Sequence, residues 1–134
     1  MTTNLNKNFQ YTPQTVQRAK RALSCSSFRL KLFRDMRNQS VPIGQIAEQA
    51  GVELGYAKEA KSEAKTEDEL VWLINVGLLR REVDGQGLTD SFRLTPLGRQ
   101  IVDLWERSGN EIPTASIKER VFNWLTRWTK YSVK

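Results

Sequence analysis

The fold is decided in residues 70–97, which read LVWLINVGLLRREVDGQGLTDSFRLTPL. Residues 70–76 are apolar on nearly all sides, which predicts a buried helix that ends at Gly77. After this glycine the hydrophobic pattern changes from helical spacing to the alternation that is typical of strands. The alternating residues are 79–83 and 91–94, and they flank the turn-forming sequence DGQG. A β-hairpin is therefore predicted directly after a buried helix.

Residues 12–51 predict three further helices. Thr12 and Pro13 have the form of an N-cap followed by proline at the first helical position, so a helix is expected over about 13–23. A second helix is expected over about 26–37, because the serine-rich sequence between the two is poor helix material. A short amphipathic helix follows, and Gly51 is expected to end it as a left-handed C-terminal cap.

Residues 54–76 allow two interpretations. Thr66 and Glu69 match a capping box with acids in the first turn, so a helix is expected to begin there, although one long bent helix over 54–76 also agrees with the pattern. Two stripes precede this point at helical spacing, one of alanines and one of lysines: Ala57, Ala60 and Ala64, and Lys58, Lys61 and Lys65. The lysines form either a solvated face paired with glutamates or a row that binds phosphate.

Two more helices are predicted after the hairpin. Thr95 and Pro96 supply an N-cap and a first-turn proline for a helix that stops near Gly109. One side of that helix is apolar: Leu97, Ile101, Leu104 and Trp105. The final helix begins at Ser116, which forms a capping box with Glu119. It carries one broad apolar face: Ile117, Val121, Trp124, Leu125, Trp128 and Tyr131.

The composition excludes several classes of site. The 134 residues include no histidine and one cysteine, which removes histidine-based catalysis, histidine or multi-cysteine zinc sites and an internal disulfide. Because no general base is placed to activate Thr95 or Ser116, we expect a protein that is not an enzyme, with no catalytic residue, metal or cofactor. No apolar run approaches the roughly 20 residues of a membrane span, and the N-terminus lacks a signal-peptide core, so a cytoplasmic location is expected.

The charge is unevenly distributed along the chain. The formal net charge is +6, but residues 1–40 carry +7, residues 41–111 carry −5 and residues 112–134 carry +4. Basic segments are common in proteins that bind nucleic acid, because each neutralised phosphate releases counterions. They also occur for solubility alone, so charge by itself leaves both possibilities open.

The order of these elements resembles that of a known superfamily. The sequences LINVGLLRR and FRLTPLGR, at residues 73–81 and 92–99, resemble the recognition-helix end and wing of winged helix-turn-helix proteins, especially MarR, ArsR and PadR regulators. The sequence VPIGQIAEQAGV at 41–52 is similar to the first helix of the helix-turn-helix pair. The resemblance covers about residues 28–107. It implies a mainly α winged helix-turn-helix fold with a two-stranded β-wing and extra N- and C-terminal helices.

The same resemblance implies a division of the chain. A flexible N-terminal arm is expected over 1–12 and a single winged-helix domain over 13–134, with the wing at about 79–94. It also implies a cytoplasmic protein that binds nucleic acid, most simply double-stranded DNA, as a regulator of transcription or an accessory factor. The candidate DNA-binding residues lie on the lysine stripe and the wing: Lys58, Lys61, Lys65, Arg80, Arg81 and Arg93.

One departure from the superfamily pattern favours an alternative function. About nine extra residues precede the helix that enters the wing, and that helix is expected to start with Glu67, Asp68 and Glu69. Acids at this position repel phosphate, whereas a DNA-binding helix offers positive charge and hydrogen-bond donors. The alternative is a protein–protein interaction module on a winged-helix scaffold that does not bind DNA.

A homodimer is also predicted, built through the C-terminal helix at about 116–131. Its apolar face is too wide and aromatic for a terminal helix exposed to water, and similar winged-helix regulators commonly pair through added terminal helices. The expected interface residues are those of the face defined above: Ile117, Val121, Trp124, Leu125, Trp128 and Tyr131. The same face could instead fold back on its own domain.

Overall fold

The computed structural model describes residues 11–83, 90–108, 121 and 123–126. It is mainly helical, with one small antiparallel sheet of three strands. The elements in chain order are α1 (Pro13–Ser24), α2 (Leu30–Asn38), β1 (Val41–Pro42), α3 (Ile43–Ile46), α4 (Glu48–Glu53), α5 (Glu63–Asn75), β2 (Leu79–Val83), β3 (Asp90–Leu94) and α6 (Pro96–Ser108). Residues 121 and 123–126 are also helical. Among the described residues, no helix has the length and apolar character needed to cross a membrane.

The two strands of the predicted hairpin and their antiparallel pairing are confirmed, whereas its turn sequence DGQG at 84–87 lies outside the described residues. A third strand joins the pair. β2 pairs antiparallel with β3 from Leu79 opposite Leu94 to Val83 opposite Asp90. β1 pairs with the other edge of β3, with Val41 opposite Phe92, which gives the strand order β1-β3-β2. Since successive side chains of a strand point to opposite faces, one face of the sheet covers the core and the other faces outward.

The core lies between the inner face of the sheet and the helices α1, α2, α5 and α6. Phe28 and Phe33 meet edge to face with ring centroids 6.2 Å apart, a favoured geometry for aromatic pairs. Trp72 of α5 is 2% exposed and Val102 of α6 is fully buried. Burial of these large side chains, at roughly 1.5 to 3 kcal/mol each before ordering costs, is the main stabilising contribution.

Both predicted threonine caps are confirmed. The side chain of Thr12 accepts a hydrogen bond from the backbone N–H of Thr15, with Pro13 as the first residue of α1. The hydroxyl of Thr95 accepts from the N–H of Gly98 and donates to the carbonyl oxygen of Gly77. Gly77 has φ +90°, the left-handed conformation that ends α5 where the sequence predicts. Gly77 and Thr95 therefore mark the end of α5 and the start of α6 on either side of the β2–β3 pair.

The prediction for Gly51 is wrong. The residues with left-handed backbone here are Glu48, with φ +58°, and Gly55, with φ +80°, while Gly51 lies inside α4. A Cβ on Gly51 would lie 1.9 Å from the carbonyl oxygen of Ile46. Glycine is required there because α3 and α4 pack closely. Similarly, α2 begins at Leu30 rather than near residue 26, because Ser26 and Ser27 make side-chain hydrogen bonds instead.

Of the two interpretations of residues 54–76, the single long helix is wrong, whereas the separate helix expected from Thr66 is confirmed with a start three residues earlier. The N-cap of α5 is Ser62, whose hydroxyl accepts from the N–H of Lys65, and residues 54–62 are not helical. Thr66 is a buried residue within the helix rather than its cap. The alanines and lysines at 57–65 therefore do not form stripes on one helix. Instead the chain crosses close to the α1–α2 connection, where Ala57 forms an isolated antiparallel bridge with Phe28.

The C-terminal predictions are tested only in part. Val121, Trp124 and Leu125 are helical, as expected, whereas Ile117, Trp128 and Tyr131 lie outside the described residues, as do the capping residues Ser116 and Glu119. Most of the predicted arm at 1–12 also lies outside them. On α6, three of the four expected apolar residues are buried, but Leu104 is 44% exposed.

Candidate nucleic-acid interface

Two of the predicted arginines form a pair on the outward face of the sheet. Arg80 of β2 lies directly opposite Arg93 of β3 in the strand register. Their inner-face neighbours, such as Phe92 and Leu94, are buried, so alternation turns the two arginines away from the core. Arg80 is ion-paired with Glu82, with 2.9 Å between Nη2 and Oε2, and Arg93 donates to the carbonyl oxygen of Asn38.

Arg81 is separated from that pair. It lies opposite Phe92 on the inner-facing side, where its guanidinium covers the ring at 5.3 Å from the centroid. The same guanidinium is ion-paired with Glu67 of α5 at 3.3 Å and with Asp90 of β3 at 3.6 Å. The three arginines therefore do not form one continuous basic patch, and Arg81 has a structural partner on each side.

The three lysines also differ in their surroundings. Lys61 is ion-paired with Glu69, with 2.9 Å between Nζ and Oε2. Lys58 and Lys65 are exposed, Lys58 in the 54–62 segment and Lys65 in the first turn of α5. Within the described part of the chain, these two side chains make no ion pair. Of the three lysines predicted to bind phosphate, only Lys58 and Lys65 are therefore exposed without an ion pair among the described residues.

Glu69 is a site residue whose role the sequence did not reveal. Its carboxylate accepts hydrogen bonds from the backbone N–H and the hydroxyl of Ser27 at 3.0 to 3.2 Å, and pairs with Lys61. It thereby ties α5 to the α1–α2 connection and to the 54–62 segment. These contacts lie at the wall of an open cleft of about 530 Å³, which is also lined by Cys25, Lys65 and Asp68.

The surface around α4 and the start of α5 is acidic. Residues 48–69 contain seven acidic and three basic side chains, which gives a formal charge of −4. Glu48, Glu53, Glu59 and Glu63 are all exposed. Glutamates at a helix N-terminus are stabilised by the helix dipole, so they benefit α5 itself while opposing a phosphate backbone.

Much of the N-terminal basic charge is engaged within the fold. Arg37 of α2 is ion-paired with Glu106 and Asp103 of α6, and Arg34 with Glu106. Lys31 donates to the carbonyl oxygen of Leu54 and lies 5.3 Å from the ring centroid of Tyr56. The basic charge of this region serves at least in part to attach α2 to its neighbours.

Tyr56 and Asp35 form a partly buried polar contact beside α2. The Tyr56 hydroxyl donates to Oδ2 of Asp35 at 2.7 Å, and the tyrosine is 5% exposed. Burial, together with the hydrogen bond to Asp35 and its negative charge, raises the pKa of Tyr56 to about 12. The geometry identifies this as a packing contact between α2 and the chain after α4.

The described part of the predicted dimer face is exposed. Val121, Trp124 and Leu125 are 51%, 60% and 45% exposed, respectively. Asn123, on the same helical turn, accepts a hydrogen bond from the indole Nε1–H of Trp72 at 3.2 Å. The helix therefore contacts its own domain through a polar residue.

A family model described as Npun_F0494-like matches residues 9–127 of the chain. Because the match extends over nearly the whole sequence, the chain belongs to the Npun_F0494-like family. Comparisons with curated proteins and with solved structures gave no match.

Proposed function

We propose that this member of the Npun_F0494-like family is a non-enzymatic binding protein on a winged-helix-like scaffold, and that its partner is a protein. The order of the elements supports the winged-helix arrangement that the sequence resemblance implies. In chain order these elements are α2, β1, α3, α4, α5 and the β2–β3 hairpin. In DNA-binding members of that superfamily the second helix of the helix-turn-helix pair contacts the DNA, and α5 has the corresponding place in this chain. We therefore take the α4–α5 surface as the proposed contact surface.

The observation that carries the proposal is the charge of this surface. A DNA-binding surface presents unpaired cations to phosphates, but residues 48–69 carry −4. Lys61 and Arg81 are each paired with a glutamate of α5. Since a fold does not determine its function, the acidic surface supports a partner with a basic contact surface more strongly than it supports DNA.

A second candidate function, binding of duplex DNA through the wing, is favoured by one observation. Arg80 and Arg93 lie opposite each other on the outward face of the sheet. Together with the exposed Lys58 and Lys65 they would supply four phosphate contacts, so the logarithm of the affinity should fall with the logarithm of the salt concentration with a slope of about −3.6.

Two matched charge reversals distinguish the candidates. Glu59→Lys with Glu63→Lys changes two exposed acids near the start of α5, and Arg80→Glu with Arg93→Glu changes the outward arginines. The protein complex is isolated by affinity capture after nuclease treatment and rebuilt from purified components. Fluorescence anisotropy with a random duplex over a salt series measures DNA binding.

The protein function predicts that the glutamate reversal abolishes the rebuilt complex and that the arginine reversal leaves it intact. Each pair of variants serves as the control for the other. Salt-dependent duplex binding that is lost on arginine reversal would establish the DNA function instead. A complex insensitive to the glutamate reversal would refute the proposed surface.

A further inference from the structure

Strand β2 is an edge of the sheet. The strand order β1-β3-β2 leaves β2 paired with β3 alone. Within the described part of the chain, residues 79–83 make no backbone hydrogen bond to any segment other than β3. The side chain of Arg80 is 57% exposed, and Val83 is exposed to the same extent. An edge of this kind can accept a strand from another molecule.

The backbone groups of Arg81 are directed to this open edge. The N–H of Thr95 donates to the carbonyl oxygen of Leu78 at 3.0 Å, so the pair 78–95, which continues the register of β2 and β3, is hydrogen-bonded. Bonded and non-bonded pairs alternate along an antiparallel ladder, so Arg80 and Glu82 bond to β3. The N–H and the carbonyl of Arg81 therefore point away from β3.

The charged side chains of β2 are complementary to those of a second, antiparallel β2. Arg80 and Glu82 lie on the outward face of the sheet, two positions apart. About a twofold axis at Arg81, Arg80 lies directly opposite the partner's Glu82, and Glu82 lies opposite the partner's Arg80. An axis at Arg80 or at Glu82 instead places two like charges opposite each other. The charges therefore select the register centred on Arg81.

This register also brings Arg81 opposite the partner's Arg81, but the positive charge of each is already neutralised. The guanidinium is ion-paired with Glu67 at 3.3 Å and with Asp90 at 3.6 Å, and it lies over the ring of Phe92. The side chain is thereby directed to its own domain, so the like charges do not oppose the pairing of the backbones.

From the open backbone and the complementary charges we infer that β2 pairs antiparallel with β2 of a second copy of the chain, about a twofold axis at Arg81. Leu79 is 2% exposed, so the added ladder comprises residues 80–82. Because this contact is smaller than a standard interface, we expect a weak dimer with a Kd of about 0.1 to 1 mM. The inference is independent of the partner proposed for the α4–α5 surface, since neither Glu59 nor Glu63 belongs to the ladder.

The first measurement is the mass of the full chain over a range of concentrations. Sedimentation equilibrium should give 15.4 kDa at about 10 µM and a mass that rises toward twice this value at about 1 mM. Amide NMR spectra over the same range should show the largest shift at the N–H of Arg81, because this group gains a hydrogen bond. The N–H groups of Arg80 and Glu82 already bond to β3 and should shift less.

Charge variants test the register. Arg80→Glu places two glutamates opposite each other at both cross-strand pairs and should raise the Kd at least about tenfold. Glu82→Arg places two arginines opposite each other and should have the same effect. The double variant Arg80→Glu with Glu82→Arg restores both attractive pairs, so its Kd should return to within about threefold of the wild type.

Arg99→Glu is the matched control, because Arg99 is exposed on α6 and its replacement makes the same change in net charge. This variant should dimerise as the wild type does. Thermal melts followed by circular dichroism verify that each variant is folded. If Arg80→Glu does not fold, Glu82→Arg and the double variant still test the register.

Four results would overturn the inference. The first is a wild-type mass of 15.4 kDa at all concentrations up to about 1 mM. The second is a dimer that neither single β2 variant weakens more than Arg99→Glu does. The third is a dimer that the double variant fails to restore. The last is a set of concentration-dependent shifts that leaves the N–H of Arg81 unchanged.

Discussion

Replacement of Gly51 by alanine should be the most damaging small change in the region between α3 and α5. The added Cβ would lie 1.9 Å from the carbonyl oxygen of Ile46 and 2.7 Å from its carbonyl carbon. Both contacts are to backbone, so no side-chain rotation can relieve them, and α3 and α4 must move apart.

The magnitude follows from two opposing effects. Overpacking of this kind costs about 1 to 3 kcal/mol and sometimes more, whereas alanine gains about 0.5 to 1 kcal/mol over glycine within a helix. Because both close contacts are to backbone, the cost is expected at the upper end, about 3 kcal/mol, so Gly51→Ala should lower the free energy of unfolding by about 2 kcal/mol. For a chain of this length that corresponds to a fall of roughly 7 °C in Tm.

Gly44→Ala is the matched control. Gly44 lies in α3, and an added Cβ there has no atom within 4 Å, so this variant should be as stable as the wild type or up to about 1 kcal/mol more stable. Urea unfolding and thermal melts followed by far-UV circular dichroism measure both variants. Equal stabilities for Gly51→Ala and Gly44→Ala would refute the close packing of α3 against α4.

Two further predictions concern Tyr56 and Glu48. The Tyr56 hydroxyl is expected to ionise with a pKa of about 12 in the folded chain and near 10 in the unfolded chain. Its contribution to the free energy of unfolding is therefore complete below pH 10 and is lost as the pH rises toward 12. The stability advantage of the wild type over Tyr56→Phe in urea should therefore shrink by about 1.4 kcal/mol by pH 11, and a constant difference would contradict the raised pKa. At Glu48, where φ is +58°, glycine should be about 1 kcal/mol more stable than alanine. At Glu53, also in α4, the alanine variant should be more stable than the glycine variant. If alanine were the more stable variant at both sites, a left-handed conformation at Glu48 would be excluded.

Local signals in the sequence were sufficient to predict strands β2 and β3 and the threonine caps of α1 and α6. Thr12 and Thr95 each precede a proline, and the alternation in 79–83 and in 91–94 is set by neighbouring residues. Gly77 likewise ends α5 through its own conformational freedom. Such features depend on short stretches of chain, so they can be predicted without knowledge of the tertiary fold.

The errors arise where distant contacts override local preference. Ala57 and Lys58 favour helix by composition, but their backbones bond to the α1–α2 connection, through the bridge to Phe28 and the bond from the Lys58 N–H to the Ser27 carbonyl. The strand β1 has only two residues, one of them proline, so it is too short for an alternating pattern to predict it. Glu69 had the signature of a capping box, and its actual partner Ser27 is 42 positions away.

The candidate site was predicted as a set of basic residues, and their positive charge in the sequence did not indicate which acidic residues they pair with in the fold. Lys61, Arg80 and Arg81 each lie close to an acid that is adjacent in the fold. The separation of Arg81 from Arg80 and Arg93 follows from alternation along β2, which the sequence does contain. A strand-by-strand assignment of inward and outward residues would have found it.

The pairing of β1 with β3 also has a consequence for the order of folding. Leu79 and Leu94 meet across 15 positions, whereas Val41 and Phe92 meet across 51, with α3, α4, α5 and β2 in between. Closing the loop between Val41 and Phe92 costs more chain entropy than closing the hairpin, and it forms a ladder of only two residue pairs. The hairpin and helices can thus assemble first, and β1 joins last, so that a weakened Val41 contact would accelerate unfolding while leaving the folding rate almost unchanged.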